Sequence, residues 1–466
     1  MVRAGWQGGA VTEIDRSRLA QLLVAERDRF RADRPVSQAM AAEAAAHLVG
    51  GVPMTWMAKW AGGFPMFVAG ASGSRLTDVD GHTYVDFALG DTGSMAGHSP
   101  PATVAVIRRQ VEQIGGITTM LPTADAACVA GELARRFGLP RWSFALTATD
   151  ANRWALRLAR LVTGRPLVAS FAYGYHGTVD ETFVVRSADG STVSRRGNVA
   201  PAVSPAATTR ALEWNDLASV EAALAPGDVA VVITEPALTN IGIVLPEAGF
   251  LAGLAAICAR TGTLLLIDET HTLSAGPGGC TQAWGLRPDI VTLGKSFAGG
   301  VPIGAYGLSG PVADRLDEAV AGQGADLIDV GGVGGTLAGN PLSLAAARAT
   351  LAEVLTDDAF VGMIARADRF TAGVQATLDR HDLPWTVVQL GARAEYRFAR
   401  PAPRTGTASA LAGDDEVEEY LHLALANRGI LLTPFHNMAL MAPTTTDGDV
   451  DLHTAAFAEV VAAIAP

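Results

Sequence analysis

The stretch Thr292-Leu293-Gly294-Lys295-Ser296-Phe297-Ala298-Gly299-Gly300-Val301-Pro302-Ile303-Gly304-Ala305 decides how this chain is read. It holds one of only two lysines in a sequence with thirty-three arginines, and Lys295 is the sole charged residue between Asp289 and Asp314. Apolar surroundings disfavour an ammonium and leave an amine that is easier to deprotonate and more nucleophilic. An imine-forming lysine needs that property. A lysine at a strand end also commonly snorkels to solvent or pairs with a carboxylate, so its neighbours must decide between the two uses.

Outward from Lys295, short apolar runs at 167–171, 229–234, 263–267 and 290–293 alternate with helical patterns at 217–224 and 250–259. Runs apolar on both faces are expected of strands in a parallel sheet covered by helices. Residues 76–345 therefore read as a large α/β domain that takes its ligand at the carboxyl ends of the strands. Residues 1–75 read as an N-terminal arm, with a helix from Asp15 that sets Leu19, Leu22, Leu23 and Phe30 on one side. A glycine-rich stretch at 50–73 follows, and an Asp80-Gly81 step between short alternating runs at 77–86 signals a hairpin. Residues 346–466 read as a smaller α+β domain. A long helix from 342 through 355 and past Phe360 leads into it, followed by short strands and a surface loop at 400–415. A closing helix carries Phe457, Val460, Val461 and Ile464 at helical spacing, with Asp449 or Asp451 as its cap.

Four strand ends or turns carry reactive groups. Asp268 follows Leu264-Leu265-Leu266-Ile267 and either caps the next helix or stays ionised against a cation at the sheet's ligand edge. A pyridinium nitrogen is such a cation, and keeping it protonated makes the ring an electron sink, as in pyridoxal phosphate sites. Lys295 comes twenty-seven residues later, a spacing at which adjacent parallel strands joined by one crossover share a rim. Thr147-Ala148-Thr149-Asp150-Ala151-Asn152 opens a helix with a capping-box pattern, and the same amides and hydroxyls make a phosphate site. In Tyr173-Gly174-Tyr175-His176-Gly177 the aromatics either pack the loop or let Tyr175 stack on a cofactor ring.

Composition narrows the partners. With 35 basic against 47 acidic side chains the net charge is -12, and no block of like charge occurs. Nucleic acid and anionic membrane surfaces are therefore poor partners, and small molecules are expected. A content of 49% hydrophobic and 18% charged residues excludes a disordered or coiled-coil chain. Cys128, Cys258 and Cys280 are odd in number and far apart, giving neither a disulfide framework nor a metal site. Without a signal-peptide core or a bilayer-length apolar stretch, the expected location is cytoplasmic.

Together these motifs resemble the class III aminotransferases of the fold-type I pyridoxal phosphate enzymes, especially the branch that includes glutamate-1-semialdehyde aminomutase. The likeness runs from about Gly62 to the C-terminus and is most specific over 292–305. It also rests on Asp78-Val79-Asp80-Gly81, Tyr175-His176-Gly177, Glu235-Pro236 with Asn240, Asp268-Glu269, and Gly335-Thr336-Leu337-Ala338-Gly339-Asn340-Pro341. It implies that Lys295 is the Schiff-base lysine, Asp268 the partner of the pyridine nitrogen and Tyr175 the residue stacked on the ring. Thr147, Ala148 and Thr149 correspond to the phosphate loop, and Glu235 and Asn240 to positions near the ring's substituted edge. Thr336 corresponds to a threonine that reaches the phosphate of the neighbouring subunit, which implies a homodimer.

The chain also departs from the family pattern. Thr-Ala-Thr-Asp-Ala stands where Ser-Gly-Thr-Glu-Ala is usual, and Thr270 stands where a valine packs on the ring's second face. The arm at 50–73 lacks the arginine that the aminomutase branch uses for the substrate carboxylate, and only Lys59 is charged there. Arg393 is the candidate replacement, unless it pairs with Glu395 or solvent. Trp56, beside Met54 and Met57, suits an apolar substrate wall or an ordinary core.

The implied activity is that of a pyridoxal phosphate-dependent aminotransferase, exchanging an amino group between a primary amine and a keto acid in a ping-pong cycle. The Lys295 amine would serve as general base and acid, and Asp268 would keep the ring cationic. Two alternatives use the same sequence. One is the intramolecular amino shift of an aminomutase; the other is a non-catalytic protein that kept the fold, against which the retention of both Lys295 and Asp268 argues.

Overall fold

The computed structural model describes residues 14–323 and 326–465. Its central sheet has seven strands: β1 (Arg141–Ala145), β2 (Leu167–Phe171), β3 (Thr209–Leu212), β4 (Val229–Thr234), β5 (Leu264–Asp268), β6 (Ile290–Gly294) and β7 (Gly304–Leu308). They lie in the order β1-β7-β6-β5-β4-β2-β3. From β6 to β3 every neighbouring pair is parallel, and β7 runs antiparallel to both β6 and β1.

The run of apolar residues on both faces has the expected cause. Along β5, Leu264 and Leu266 enter a core built with Ala151, Ala155 and Leu158, whereas Leu265 and Ile267 face Trp214, Phe250 and Leu254 on the other side. The two helices Leu217–Leu224 and Phe250–Thr261 pack on each other over that second face.

The rest of the chain builds a second assembly. Val68–Ser72, Arg75–Asp78 and Thr83–Asp86 form an antiparallel set, and Ile430–Leu431 joins it in parallel beside Thr83–Asp86. The anticipated hairpin is the pair Arg75–Asp78 and Thr83–Asp86. Three antiparallel strands, Thr386–Leu390, Arg393–Arg397 and Met438–Leu440, lie with the packed helices Asp357–Arg380 and Asp447–Ile464. The helix Arg16–Asp33, capped by Asp15, buries Leu19, Leu23 and Phe30 and packs along Asp415–Ala426. Leu22 is only half-buried.

Three local expectations need correction. The closing helix is capped by Thr446, not by Asp449 or Asp451; Asp449 is its third residue and completes a capping box. The long helix is broken, because Pro341–Ala349 ends through a π turn at Thr350–Val354 and a new helix starts at Asp357. Thr356 accepts from the Ala359 amide, and Asp357 and Asp358 complement the N-terminal dipole, so a fresh helix start is favoured there. Within 400–415, residues Gly406–Leu411 form a short helix capped by Thr405. Among the described residues no helix is long and apolar enough to cross a membrane.

Candidate active site

Asp268 ends β5 and pairs in register with Thr292 of β6, so Lys295, three residues on, leaves the neighbouring strand on the same rim. Lys295 itself has a left-handed backbone, φ 57°, which is uncommon outside glycine and turns the chain sharply after β6. Beside it lies a cavity of about 360 Å³, lined in part by Thr147, Ala148, Thr149, Tyr175, Asp268, Thr270 and Lys295. Trp56 reaches it from the N-terminal arm. A larger cleft of about 800 Å³ around Arg153 and Arg157 contains neither Lys295 nor Asp268.

Asp268 is a carboxylate held by design of its neighbours rather than a helix cap. Its Oδ2 accepts from Asn152 Nδ2 at 2.8 Å and from His176 Nδ1 at 3.0 Å, and its Oδ1 accepts from the Thr270 amide at 3.0 Å. Burial alone would raise its pKa, but His176, Thr270 and Asn152 outweigh that and hold it below the usual carboxylate range. Asn152 is itself oriented by the Thr292 hydroxyl, which donates to its Oδ1 at 2.6 Å. The result is a negative charge fixed at the cavity wall.

Thr147, Ala148 and Thr149 open the helix Ala148–Thr163. Thr147 accepts from the Asp150 amide at 3.2 Å, while its hydroxyl donates to Asp150 Oδ2 at 3.0 Å, so the cap is present but the reciprocal backbone bond of a full capping box is not. The amides of Ala148 and Thr149 have no intrahelical acceptor by helix geometry, and the dipole favours an anion there. The loop is wedged against β6 and β7. A Cβ on Gly304 would lie 2.2 Å from the Thr147 carbonyl oxygen, and one on Gly294 would lie 2.8 Å from Ala148 Cβ. Gly304→Ala is accordingly expected to push the loop out of place, lowering stability by about 1–3 kcal/mol and weakening cofactor binding. Thermal melts with and without cofactor check this; a variant that melts and binds like the wild type would mean the loop position is not set by this contact.

Tyr175 borders the cavity with its ring edge-on to Trp56 at 5.3 Å, and Trp56 meets Phe435 at 5.4 Å. Burial, with Asp91 adding to it, pushes the Tyr175 phenol up to about 12. The Tyr175 amide donates to Glu235 Oε1 at 3.3 Å, and the Thr239 hydroxyl donates to Glu235 Oε2. Burial raises the Glu235 carboxyl. Neither Glu235 nor Asn240 is among the residues that line the cavity; the Asn240 amide oxygen accepts from both terminal nitrogens of Arg195, at 3.1 and 2.9 Å. Thr336 is exposed and away from the cavity of its own chain. Arg393 is 1% exposed and neither reaches solvent nor forms an ion pair with Glu395: one terminal nitrogen lies 3.1 Å from His271 Nδ1 and the other donates to the Thr92 hydroxyl.

Two residues beside the Lys295 amine escaped the sequence reading. Lys295 Nζ lies 2.8 Å from Asp91 Oδ2 and in close contact with His271 Nε2. Asp91 belongs to a turn in which Leu89, Gly90, Asp91 and Thr92 all have positive φ. A lone acid between glycines and a histidine three residues after Asp268 were the available signals, and neither has a periodicity that points inward.

The Aminotransferase class-III family model matches residues 56–461. The chain belongs to the class III aminotransferase family. It is 34% identical over 441 residues to the glutamate-1-semialdehyde 2,1-aminomutase of Chloroflexus aggregans, covering 91% of this chain and 97% of that one. A solved glutamate-1-semialdehyde-aminomutase from Pseudomonas aeruginosa PAO1, a lysine-to-alanine variant in complex with PMP, is 48% identical, with a TM-score of 0.93 and coverage of 97% and 99%. A β-phenylalanine aminotransferase from Variovorax paradoxus is 26% identical, with a TM-score of 0.84 and coverage of 95% and 97%.

The protein is thus a pyridoxal phosphate-dependent class III enzyme of fold type I. The cavity fits that cofactor on its own terms. The buried Thr270 hydroxyl on the cavity wall has no hydrogen-bond partner among the described residues, and by helix geometry the two first-turn amides after Thr147 lack an intrahelical acceptor and suit a phosphate. Lys295, Asp268 and this loop would hold it. When bound, the cofactor supplies an aldehyde that condenses with amines and a ring that accepts an electron pair.

Proposed function

We propose that the enzyme shifts an amino group within one substrate molecule, in the manner of a glutamate-1-semialdehyde aminomutase. The observation that carries this reading is the 48% identity over 97% of the chain to a solved protein of that name. The sequence alone favoured exchange between two substrates; the curated relatives tilt the balance to the intramolecular variant.

The residues divide the work. Lys295 would hold the cofactor and, as a free amine, would take a proton from the substrate and return one on its Nζ. Asp268 keeps a positive charge opposite it. Thr147, Ala148 and Thr149 bind phosphate, Tyr175 and Thr270 bracket the ring, and Glu235 and Asn240 support the Tyr175 side from behind. Trp56 walls the substrate space. Thr336, exposed in its own chain beside exposed Ile328, Val330 and Leu337, would complete the phosphate site of a second copy in a homodimer.

One observation favours the exchange reading. Among the described residues the cavity lining includes no arginine, and both terminal nitrogens of Arg393 are already engaged. A bidentate clamp for a substrate carboxylate needs a free guanidinium. Feeding a ¹⁵N-labelled amino substrate together with an unrelated keto acid separates the two. The label is expected to stay within the pool of substrate and its isomer; transfer of label to the keto acid at the rate of the shift would establish exchange instead.

A further inference from the structure

Lys295 Nζ is held between an acceptor and a donor. Asp91 Oδ2 accepts on one side at 2.8 Å. On the other side stands His271, whose Nδ1 lies 3.1 Å from Arg393 and whose Nε2 contacts Nζ. A guanidinium has donors only, so Nδ1 must accept, and in a neutral ring the single proton then sits on Nε2. Burial, reinforced by the charge of Lys295, keeps His271 neutral at physiological pH; Asp91 opposes this, and Arg393 and His436 add to it. When Lys295 is the free amine, the bonds therefore run in one direction, from Arg393 to His271 to Lys295 to Asp91.

An ammonium has three donors and no lone pair, so it cannot accept the Nε2 proton. The free amine can. Asp91 has the opposite preference, because a carboxylate 2.8 Å away favours the ammonium. A group that must both take and return a proton works best when its two protonation states lie close in energy.

We propose that His271 is a further catalytic residue, which presents an N–H to Lys295 Nζ and favours its free amine, while Asp91 favours the protonated one. Arg393 is then a positioning residue that acts through the His271 ring, and its burial behind His271 has a purpose other than holding substrate. This inference rests on the reading of Lys295 as the proton carrier.

Because the chain has only two lysines, the amine can be observed directly. Lys59 is exposed and serves as the internal reference. In the full chain without added cofactor, brief treatment with acetic anhydride at neutral pH followed by peptide mass mapping gives the Lys295 to Lys59 labelling ratio. His271→Phe is expected to lower that ratio about tenfold, the weight of one lost hydrogen bond to a buried group, and His271→Gln to recover part of it. Asp91→Asn is expected to raise it. A ratio in His271→Phe within about twofold of the wild type, a smaller change than one hydrogen bond carries, overturns the proposal. Should that variant fail to fold, a ratio in Asp91→Asn that falls or stays level does the same. Borohydride trapping of cofactor on wild-type Lys295 tests the underlying assignment separately, since the labelling ratio needs no cofactor.

Discussion

Lys295→Ala is expected to lower turnover by at least about a thousandfold, since it removes both the nucleophile and the group that moves the proton. The remainder of the site should survive. Asp268, Thr270 and the loop at 147–149 do not depend on Lys295 for their hydrogen bonds, so the variant should still take up cofactor noncovalently. Its cost falls on Asp91. Burial alone would raise that carboxyl, but the Lys295 ammonium reverses the sign and holds it well below the usual range. A depressed carboxyl contributes stability that is present above its unfolded pKa and lost as pH falls through its folded one. Removing Lys295 therefore reduces stability at neutral pH and flattens its acid decline. The loss should be smaller than the roughly 3–5 kcal/mol of a fully buried pair, because the Lys295 side chain keeps 25% exposure. Single-turnover assays and melting curves from acid to neutral pH measure both effects. Wild-type turnover in this variant would end the catalytic assignment; identical melts would show that the Asp91 pair contributes nothing.

Asp268→Asn is expected to lower kcat by about a hundred- to a thousandfold, the scale on which a fixed electrostatic partner acts in a water-poor site. The substitution keeps the volume and one acceptor oxygen but removes the charge. It also changes what His176 and Asn152 face, since both now donate toward a neutral amide. Folding should be little affected, because the acceptor oxygen can still take one of those bonds. A steady-state comparison with the wild type, supported by a circular dichroism control, decides. Activity within about tenfold of the wild type would mean that charge at position 268 is not the operative feature.

The sheet was legible because its strands are uniformly apolar and its helices are amphipathic. Apolar runs such as 229–233 have no polar residue that water could claim, so they must be covered on both faces. Asp268 and Lys295 were legible for the converse reason: each is a charge at the end of such a run, where only a ligand or a partner justifies it. The helix break near Leu355 was not legible. Leu351, Leu355 and Phe360 are all buried, so the apolar spacing continues through a turn that is not helical, and Thr356 starts a new helix inside it. Arg393 was singled out for its charge, yet the same charge serves a substrate carboxylate or a histidine ring equally well on paper.

The sequence by itself determined the α/β sheet, the helix start at 147–149 after β1 and the placing of Asp268 and Lys295 on one rim across one crossover, since each follows from local pattern and chain connectivity. Only the tertiary structure decided who touches the Lys295 amine. Asp91, His271 and Arg393 are separated by up to 302 residues, and they converge because the small assembly's strand Arg393–Arg397 closes over the rim of the large sheet. Hydrogen-bond direction, which fixes the tautomer of His271 and thereby the state favoured at Lys295, exists only once those donors and acceptors are within 3 Å or so of one another.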